Sequence, residues 1–419
     1  MPIPTFCGID FGTSNSAISI ASTQTKPTLI NVENSKSTIP SSIFYPADKN
    51  QPLFGTDANQ AYISGEQGRF MRSLKRVLGT DLMSSGTLIN NKLLSFEAIL
   101  SHFLCFLKTK AENTAQAKIE SVVMGRPVQF RDNDPKADKQ AEKELYNIAK
   151  SVGFKNIVFQ FEPIAAAYAH EEEVTNEKLA LVIDIGGGTS DFSIIKIGKS
   201  LQSKTDRSQD ILASTGIRIG GNDFDKDLAI ESFMPELGMH STYGNKNLTV
   251  PNITYFELAE WSKVNSVYTY TNIKMLNKIL TETHNPDKYS RLLNLVETEQ
   301  GHTLLSYVEN TKIKLTNHNT LNTNLNFLPD SPSITTTKTA FEDSIKSDVN
   351  KTLKSIQECL NQAQITNDKI ELTILTGGST EIPYIQTLIK QTFPLSQISQ
   401  ENKLSSVGLG LAFDALRRF

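Results

Sequence analysis

Apolar residues along this chain are grouped into short runs separated by polar turns, a pattern typical of strands and helices in a folded domain. Two stretches, residues 6–20 and 179–195, each contain an apolar strand, a turn of Gly, Ser, Thr or Asn, and a returning apolar strand. Each stretch therefore predicts a β-hairpin. Further apolar runs predict short strands at residues 119–124, 157–161 and 370–375.

Helical periodicity fills much of the chain between these strands. The clearest case is residues 138–152, where Ala141, Leu145 and Ile148 share one face and the opposite face is polar. The Asn- and Thr-rich segment 317–339 favours exposed strands over a disordered linker. Other helices are predicted at 164–168, after residue 220, across most of 228–311, at 341–363 and at 404–416.

The two predicted hairpins share one order of residues. The run IDFGTS, which begins at Ile9, is matched by IDIGGGTS, which begins at Ile183. The aspartates of these runs, Asp10 and Asp184, lie close to half of the chain length apart. We interpret the match as an internal duplication that produces two α/β halves, each presenting one glycine hairpin.

Composition and charge narrow the possible partners. The 419 residues contain 42 Lys and Arg against 45 Asp and Glu, a net charge of -3, which gives no basic signature of a nucleic-acid-binding protein. Cys7, Cys105 and Cys359 are widely spaced and predict neither a disulfide framework nor a zinc site. They are interpreted as reduced cytosolic thiols.

The chain has no visible targeting or membrane-spanning segment. The first residues lack the basic and apolar regions of a secretory signal. The most apolar helical stretch, residues 93–107, is too short and too polar to span a bilayer. We therefore expect a soluble, cytoplasmic protein, monomeric by default, with neither a membrane nor a nucleic acid as partner.

The glycine turns of both hairpins have the composition of a phosphate-binding site. Backbone N–H groups of such a turn point into one concavity, and glycines let the backbone approach phosphate oxygens closely. An Asp at the end of each first strand could hold a hydrated Mg²⁺. The residues are Gly12, Thr13, Ser14, Gly186, Gly187, Gly188 and Thr189 for phosphate, and Asp10 and Asp184, through water, for the metal. The alternative is that both are ordinary tight turns.

Other phosphate-binding motifs do not fit the chain. Residues 198–200, GKS, imitate the end of a Walker A loop, but Ser193 stands where that motif needs glycine. The candidate dinucleotide motif that begins at Gly408 has Phe413 in its last glycine position. The sequence thus predicts neither a P-loop nor a Rossmann nucleotide site.

Two further glycine turns could contact the sugar or base of a nucleotide. One is residues 376–380, TGGST, between a predicted strand and a helix. The other is residues 220–223, GGND, at the start of a predicted helix. Alternatively, the first is a plain strand-to-helix turn and the second caps its helix through Asn222.

Five motifs occur in one order along the chain: IDFGT at 9–13, FEPIAAA at 161–167, IDIGGGTSD at 183–191, GGNDFD at 220–225 and TGGST at 376–380. This order resembles that of the actin-like ATPases and, in detail, that of the nucleotide-binding domain of the DnaK-type heat-shock chaperones. MGRP at 124–127 and VFQFE at 158–162 resemble most closely the solitary YegD-like branch of that family. The resemblance covers nearly the whole chain.

The resemblance implies the actin-like ATPase fold, an α/β fold of two duplicated lobes around an interlobe nucleotide cleft. Lobe I would be residues 1–180 and lobe II residues 181–419, with an insertion at about 228–340. The last helix, about 404–418, would cross back towards lobe I. The implied cofactors are ATP or ADP and Mg²⁺.

Site roles are implied by the same resemblance. Lys75 would contact the γ-phosphate and the attacking water, although it could instead be one more surface lysine. Glu162 would link Mg²⁺-bound water to the crossover between the lobes, and Asp191 and Thr189 complete the catalytic set. Such residues act by positioning and charge stabilisation, without a covalent nucleophile. The nucleotide-binding set is Gly12, Thr13, Ser14, Asn15, Gly186, Gly187, Gly188, Thr189, Gly220, Gly221, Asn222, Glu309, Lys312, Gly377, Gly378 and Ser379.

The chain departs from the family pattern around the adenine. Ile313 and Glu381 stand where the chaperones have two arginines that sandwich the base, and neither side chain can supply cation stacking. Glu309 and Lys312 remain where the family bonds adenine and ribose, or they form an i,i+3 surface ion pair. We expect weaker or less selective adenine binding.

The resulting functional prediction is a Mg-ATP-binding, slowly ATP-hydrolysing, chaperone-like protein. Because the sequence stops after the predicted final helix at Phe419, we expect a solitary nucleotide-binding domain without a peptide-binding domain. It would act through a partner or co-chaperone that the sequence does not name. The alternatives are a non-hydrolysing nucleotide sensor or scaffold, and a small-molecule kinase on the same fold.

Overall fold

A computed structural model describes residues 5–33, 35–49, 51–90, 92–131, 134–171, 174–204, 206–399 and 406–419. Strands β1 to β10 are Thr5–Phe11, Asn15–Ser22, Thr25–Leu29, Thr38–Pro40, Ser42–Pro46, Leu53–Phe54, Gly68–Arg72, Gly86–Ile89, Lys92–Ser95 and Ser121–Arg126. Strands β11 to β20 are Asn156–Phe161, Lys178–Ile185, Ser190–Ile197, Ile211–Ile217, Thr242–Tyr243, Leu248–Thr249, Thr320–Asn324, Ser333–Thr337, Leu372–Thr376 and Gln397–Ser399. Helices α1 to α12 are Gly55–Ile63, Phe96–Ala115, Pro135–Ser151, Glu162–Glu171, Gly221–Leu228, Ile253–Leu258, Tyr270–Leu280, Pro286–Glu297, Gly301–Leu315, Lys338–Ala363, Pro383–Thr392 and Ser406–Arg418.

The first large sheet is built around the hairpin of β1 and β2. Its strand order is β11-β10-β1-β2-β3, and β4 also pairs with β2. β1 and β2 are antiparallel, whereas β10 and β11 continue the sheet in parallel beyond β1. Successive residues of β1 point to opposite faces, and Cys7 and Ile9 pack with α2 and α3 in one apolar core.

The second large sheet repeats this topology. Its strand order is β14-β13-β12-β19-β20, with β12 and β13 forming the hairpin. β14 is antiparallel to β13, and β19 and β20 lie parallel on the other side of β12. The same order and strand directions in both sheets confirm the predicted duplication and the actin-like α/β fold.

Helices α4 and α12 contribute to a core shared by both sheets. Phe6 and Val123 of the first sheet, Val182 and Ile374 of the second, and Leu411 of α12 belong to one buried apolar cluster. The run Ile164 to Tyr168 of α4 joins the same cluster. Because each sheet is hydrophobic on this face, burying it against two shared helices removes a large apolar area from water.

Most predicted elements are present, with shifted ends. The helix expected at 138–152 is α3, which starts earlier because Asp134 accepts hydrogen bonds from the N–H groups of Lys136 and Ala137. The final helix is α12, Ser406–Arg418, and the predicted start at 404 lies outside the described residues. The Asn- and Thr-rich segment forms the antiparallel pair β17 and β18, as predicted.

The chain divides into two compact units. The first unit runs to Ile217 and also includes Ser355–Thr380 and Leu388–Phe419. The second unit comprises Arg218–Lys354 and Glu381–Thr387. The predicted lobe boundary near residue 180 stays a prediction. In the part of the chain that the structure describes, no helix combines the length and hydropathy needed to cross a membrane.

Candidate nucleotide site

The first glycine turn connects β1 to β2, as its sequence predicts. Asp10 is paired with Ala17 near the end of the hairpin, and the turn spans residues 12–14. A Cβ on Gly12 would overlap the carbonyl oxygen of Asn15, so only glycine fits there. Thr13 is half-buried and Asn15 is exposed.

Ser41 contacts this turn from the side, although no motif in the sequence marks it as a functional residue. Its hydroxyl donates to the Gly12 carbonyl at 2.7 Å, and its N–H donates to the Ser14 carbonyl at 2.8 Å. The Ser41 hydroxyl also lies 2.8 Å from that of Ser16. Spacing along the chain cannot reveal such a contact, because Ser41 reaches the turn only when β4 pairs with β2.

The Ser14 hydroxyl is a polar group of this turn that no protein atom satisfies among the described residues. Its oxygen is buried, yet among the described residues it has no hydrogen-bond partner. A buried hydroxyl without a partner costs free energy that a bound oxygen atom would recover. This orphaned donor is the kind of group expected beside a phosphate.

The second glycine turn joins β12 to β13. Asp184 and Asp191 face each other across the hairpin, and Gly186 N–H donates to the Thr189 carbonyl at 2.9 Å. Gly187 and Gly188 form the tip between them and are half-buried. The turn is longer than the first by two glycines, as its sequence predicts.

The third glycine turn packs onto the second. Gly377 has a φ of +81°, and a Cβ there would lie 2.6 Å from Asp184 Oδ1. The Ser379 hydroxyl donates to the Gly186 carbonyl at 3.2 Å. Gly378 begins the 3-10 turn Gly378–Glu381, which precedes α11. Residues 377–379 are therefore part of the same local structure as the second hairpin.

Lys75 and Glu162 form a close ion pair. Lys75 Nζ lies 2.6 Å from Glu162 Oε1, and the two side chains are only 9% and 17% exposed. Lys75 stands on the 3-10 turn Leu74–Val77, and Glu162 is the first residue of α4. The Phe130 ring centroid lies 5.8 Å from the ammonium. Lys75 is therefore not one more surface lysine.

Burial and neighbouring charge shift the pKa values of both predicted metal-binding aspartates upward. For Asp10, desolvation and the charge of Glu162 raise the pKa to about 7, against the opposing effect of Lys75. For Asp184, desolvation is the largest of the effects that raise the pKa, and the charges of Asp191, Glu162 and Asp10 raise it further. Carboxylates from both halves of the chain are thus close enough for their charges to interact.

The ammonium of Lys75 stays protonated in these surroundings. Desolvation lowers its pKa, but Glu162, Asp10 and Asp191 together outweigh that effect, and the net pKa is raised. One cation is nevertheless surrounded by more carboxylates than it can neutralise, because Asp184 is also part of the cluster. The site therefore has the electrostatic character of a place for an additional cation.

The donor set fits a hydrated Mg²⁺. Carboxylate oxygens are the ligands that Mg²⁺ prefers, and the ion usually retains several waters and takes one or two carboxylates. Within the described ranges, no group of three or more His, Cys, Asp or Glu side chains is placed to ligate an ion directly. Asp10 and Asp184 would hold such an ion through its waters.

A cavity adjoins these carboxylates. It is partly open to solvent. Glu162, Asp184, Asp191 and Thr376 line one part of it. Apolar side chains line another part, among them Val128, Val182 and Val407. The cavity thus lies against the second sheet, beside α4 and α12.

The remaining predicted binding residues belong to the second unit. Gly220 precedes α5, and its N–H donates to Asp223 Oδ2 at 2.9 Å. Asn222 lies inside α5, so the interpretation of Asn222 as the helix cap is wrong. Gly221 is the first residue of that helix, and its carbonyl accepts from Lys312 Nζ at 3.0 Å.

Lys312 is a buried side chain of the second unit. It is 9% exposed and lies 2.8 Å from Asp225 Oδ1. The alternative of a surface ion pair with Glu309 is therefore wrong, since the partner of Lys312 is Asp225. Glu309 and Ile313 are exposed on α9, and Glu381 is exposed at the end of its 3-10 turn.

Comparisons with known proteins match this chain to one family along most of its length. The family model described as Hsp70 protein matches residues 6–87, 85–247 and 264–416. The chain is 26% identical over 414 residues to the chaperone protein DnaK of Mycoplasmopsis synoviae (strain 53), covering 97% of this chain and 57% of that protein. It is 27% identical over 413 residues to the chaperone protein DnaK of Thermosipho melanesiensis (strain DSM 12029 / CIP 104789 / BI429), covering 97% and 58%. The chain thus spans less than two thirds of the length of these relatives.

Proposed function

Since the chain belongs to the Hsp70 protein family, whose members bind ATP and ADP, we propose that it binds Mg-ATP at the two glycine hairpins and hydrolyses it slowly. The observation that carries this proposal is the buried Lys75–Glu162 pair, which lies within electrostatic reach of Asp10 and Asp184. Burying several carboxylates together costs free energy, and a tight turn does not require it. The cluster therefore indicates more than an ordinary tight turn.

Phosphate binding is assigned to the two turns. Backbone N–H groups of residues 12–15 and 187–189, together with the Ser14 hydroxyl, would donate to phosphate oxygens. Gly186 would shape the second turn, since its N–H is already bonded to the Thr189 carbonyl. The close fit of Gly12 against the Asn15 carbonyl and the contact of Ser379 with Gly186 hold the two turns in shape, which supports this assignment. Residues 377–379 would lie on the nucleoside side. The nucleotide-binding roles of Gly220, Gly221, Asn222, Glu309 and Lys312 stay predictions from the sequence.

Hydrolysis is assigned to the groups around Lys75. Bound Mg²⁺ would neutralise phosphate charge, and Asp10 and Asp184 would orient its waters. Lys75 would stabilise the charge on the γ-phosphoryl group, and Asp191 and Thr189 would help to position the attacking water. Glu162 would link Mg²⁺-bound water to the crossover between the lobes. The water oxygen bonds to the γ-phosphorus as the bond from phosphorus to the bridging oxygen breaks. ADP keeps the bridging oxygen, the released phosphate keeps one proton of the water, and the other proton passes to solvent. No covalent enzyme intermediate is required.

Calorimetry and a turnover assay test this proposal together. Titration with ATP and ADP at millimolar ligand, with Mg²⁺ and with EDTA, is expected to show Mg²⁺-dependent binding. Lys75→Ala is expected to lower phosphate release by about 100-fold, the usual size of loss for one group that stabilises developing charge. Lys143→Ala, an exposed lysine of α3, is the matched control and should leave turnover unchanged.

The outcomes separate the proposed function from its alternative. Absence of nucleotide binding would contradict the whole proposal. Binding with equal, background rates of phosphate release in the wild type and Lys75→Ala would favour the non-hydrolysing sensor or scaffold instead. Phosphate transfer to an added small molecule would favour a kinase, for which no base facing a second substrate is evident among the described residues.

A chaperone-like role completes the proposal. The curated relatives are chaperone proteins, and the YegD-like motifs at 124–127 and 158–162 support a solitary nucleotide-binding domain that acts with a separate partner. Lobes at 1–180 and 181–419 belong to this proposal, as does a cytoplasmic location, which the unpaired Cys7, Cys105 and Cys359 support. Suppression of aggregation of a denatured client, with and without Mg-ATP, tests the role.

A further inference from the structure

Lys75 stands on a turn that depends on its neighbours for its shape. The 3-10 turn Leu74–Val77 follows Ser73, whose φ of 57° is left-handed, and it precedes Gly79, whose φ is +68°. Left-handed backbone at a residue other than glycine is uncommon and persists where surrounding structure holds it. Whatever holds this turn therefore also decides where the Lys75 ammonium lies.

Two charged side chains hold the turn from the side of α3. Arg131 Nη2 donates to the carbonyl oxygens of Arg76, at 3.0 Å, and Leu78, at 3.1 Å. The carboxylate of Glu144 accepts from the Gly79 N–H at 2.7 Å. All these hydrogen bonds have one charged partner, which makes them stronger than neutral ones. Together they hold the backbone immediately after Lys75.

Glu144 is a residue of α3, and the backbone just before Arg131 is bonded to that helix. The second oxygen of Glu144 accepts from Gln140 Nε2 at 2.9 Å, one turn away on the helix. Phe130, which precedes Arg131, donates its N–H to Asp138 Oδ1 at 2.6 Å. A Cβ on Gly79 would lie 2.6 Å from the Ala137 carbonyl, so the turn and α3 are in close contact. α3 thus acts as a platform for the turn.

We infer that Arg131 and Glu144 are positioning residues for Lys75. They hold the turn 74–79 against α3, so that the ammonium reaches Glu162 and keeps its place among the carboxylates. This inference rests on the proposed function only where it concerns turnover, because the hold on Lys75 exists without nucleotide. A small displacement of a charge-stabilising group is enough to cost a large factor in rate.

A chemical footprint of the nucleotide-free protein tests the positioning directly. Acetylation of Lys75 by acetic anhydride is followed by mass spectrometry, with amide hydrogen exchange over residues 73–79 measured in parallel. Arg131→Met and Glu144→Ala are expected to speed Lys75 acetylation about tenfold and to raise exchange in that segment. Glu144→Gln keeps an oxygen acceptor for Gly79 N–H and should stay near the wild type.

Lys143→Met is the control for the footprint, since Lys143 is exposed on the same helix. It should leave the acetylation of Lys75 unchanged. Unchanged acetylation and exchange in both Arg131→Met and Glu144→Ala would overturn the inference. Faster acetylation of buried lysines throughout the protein would also overturn it, because that result indicates general loosening.

Turnover supplies a readout that a purely structural role would not move. Arg131→Met is expected to lower kcat about tenfold with KM changed less than about twofold, and to have no further effect in a Lys75→Ala background. Additive losses in the double variant would overturn the inference. A wild type that binds and hydrolyses no ATP would instead contradict the proposed function, and the footprint would then decide the positioning alone.

Discussion

Gly410 of α12 lies directly against the carbonyl oxygen of Ala165 in α4, and a Cβ at Gly410 would overlap that oxygen. Two residues earlier in α12, the carbonyl of Gly408 accepts a hydrogen bond of 2.5 Å from the Ser19 hydroxyl of β2. α12 is therefore fitted tightly between α4, which begins with Glu162, and the hairpin that carries Asp10. Glycine is required at 410 by packing and not by an unusual φ.

Gly410→Ala is expected to destabilise the protein by about 3 kcal/mol, because backbone of one helix must move away from the other. Gly408→Ala is the matched control on the same helix. Its Cβ would meet the side-chain carbons of Ala17 and Leu29 at 3.1 and 3.3 Å, so a cost of about 1 kcal/mol is expected. Denaturant unfolding measures both, and equal costs would contradict the close backbone contact.

The raised pKa of Asp10 predicts how stability depends on pH. Between the ordinary aspartate pKa and about 7, the folded state keeps a proton that the unfolded state has lost, so the free energy of unfolding falls as pH rises through this window. The contribution is fully present below the ordinary pKa and lost above about 7. The raised pKa of Asp184 acts in the same direction.

Asp10→Asn removes one of these titrating groups. Without nucleotide, the variant is expected to gain about 1 kcal/mol relative to the wild type at pH 8, and to lose part of the slope between pH 5 and 7. Asp343→Asn, at an exposed position of α10, serves as the control. Urea unfolding across this pH range measures the slopes, and an unchanged slope in Asp10→Asn would show that Asp10 is ionised in the folded protein.

Ser14→Ala and Ser41→Ala separate a ligand contact from a structural one. Ser14 has a buried hydroxyl without a described partner, so its removal should raise the free energy of unfolding slightly while weakening ATP binding about fivefold, as expected for one lost hydrogen bond. Ser41 donates a hydrogen bond to the turn itself. Ser41→Ala should therefore lower the free energy of unfolding by about 1 kcal/mol in addition to weakening ATP binding. Calorimetric titration and thermal unfolding compare the two. A destabilised Ser14→Ala would mean that the hydroxyl is satisfied within the protein.

A buried ion cluster at the end of α4 predicts a large stability effect away from the nucleotide site. Arg207 Nη2 lies 2.8 Å from Glu171 Oε1 with both side chains fully buried, and Arg207 also pairs with Asp210. Arg207→Met leaves Glu171 buried without its cation and should cost about 3–5 kcal/mol. Lys204 pairs with the same Asp210 but is 50% exposed, so Lys204→Met should cost less than about 0.5 kcal/mol. Chemical denaturation measures the difference, and similar small costs would show that water reaches Glu171.

We expect the site to discriminate weakly between nucleobases. Ile313 and Glu381 cannot stack a cation on adenine, so ADP and GDP are expected to bind with affinities within about tenfold of each other. Glu381→Arg should raise the affinity for ADP, and Glu381→Gln controls for the loss of negative charge. Competition titrations measure the ratio. Strong preference of the wild type for ADP would show that other groups recognise the base.

Local chemistry in the sequence determined the two hairpins, α3 and the duplication. Apolar alternation, glycine turns and helical periodicity act over a few residues, and the register of β12 against β13 follows from them. The segment between residues 25 and 95, which contains β3 to β9, was not predicted in detail because its strands are short and only partly apolar. Of these strands, β4 and β7 depend on pairing with partners more distant in the chain, β2 and β5.

The tertiary structure alone decided which charges meet. Nothing in the spacing of Lys75, Phe130 and Glu162 shows that they share one buried place, and nothing around Ser41, Arg131 or Glu144 marks them as supports of the site. Likewise, the sequence left open whether Lys312 pairs with Glu309 or turns inward, and burial against α5 chose Asp225. Hairpins form from neighbouring residues, whereas an ion pair between distant residues exists only after the sheets and helices have packed, because packing removes the water that would otherwise keep those charges apart.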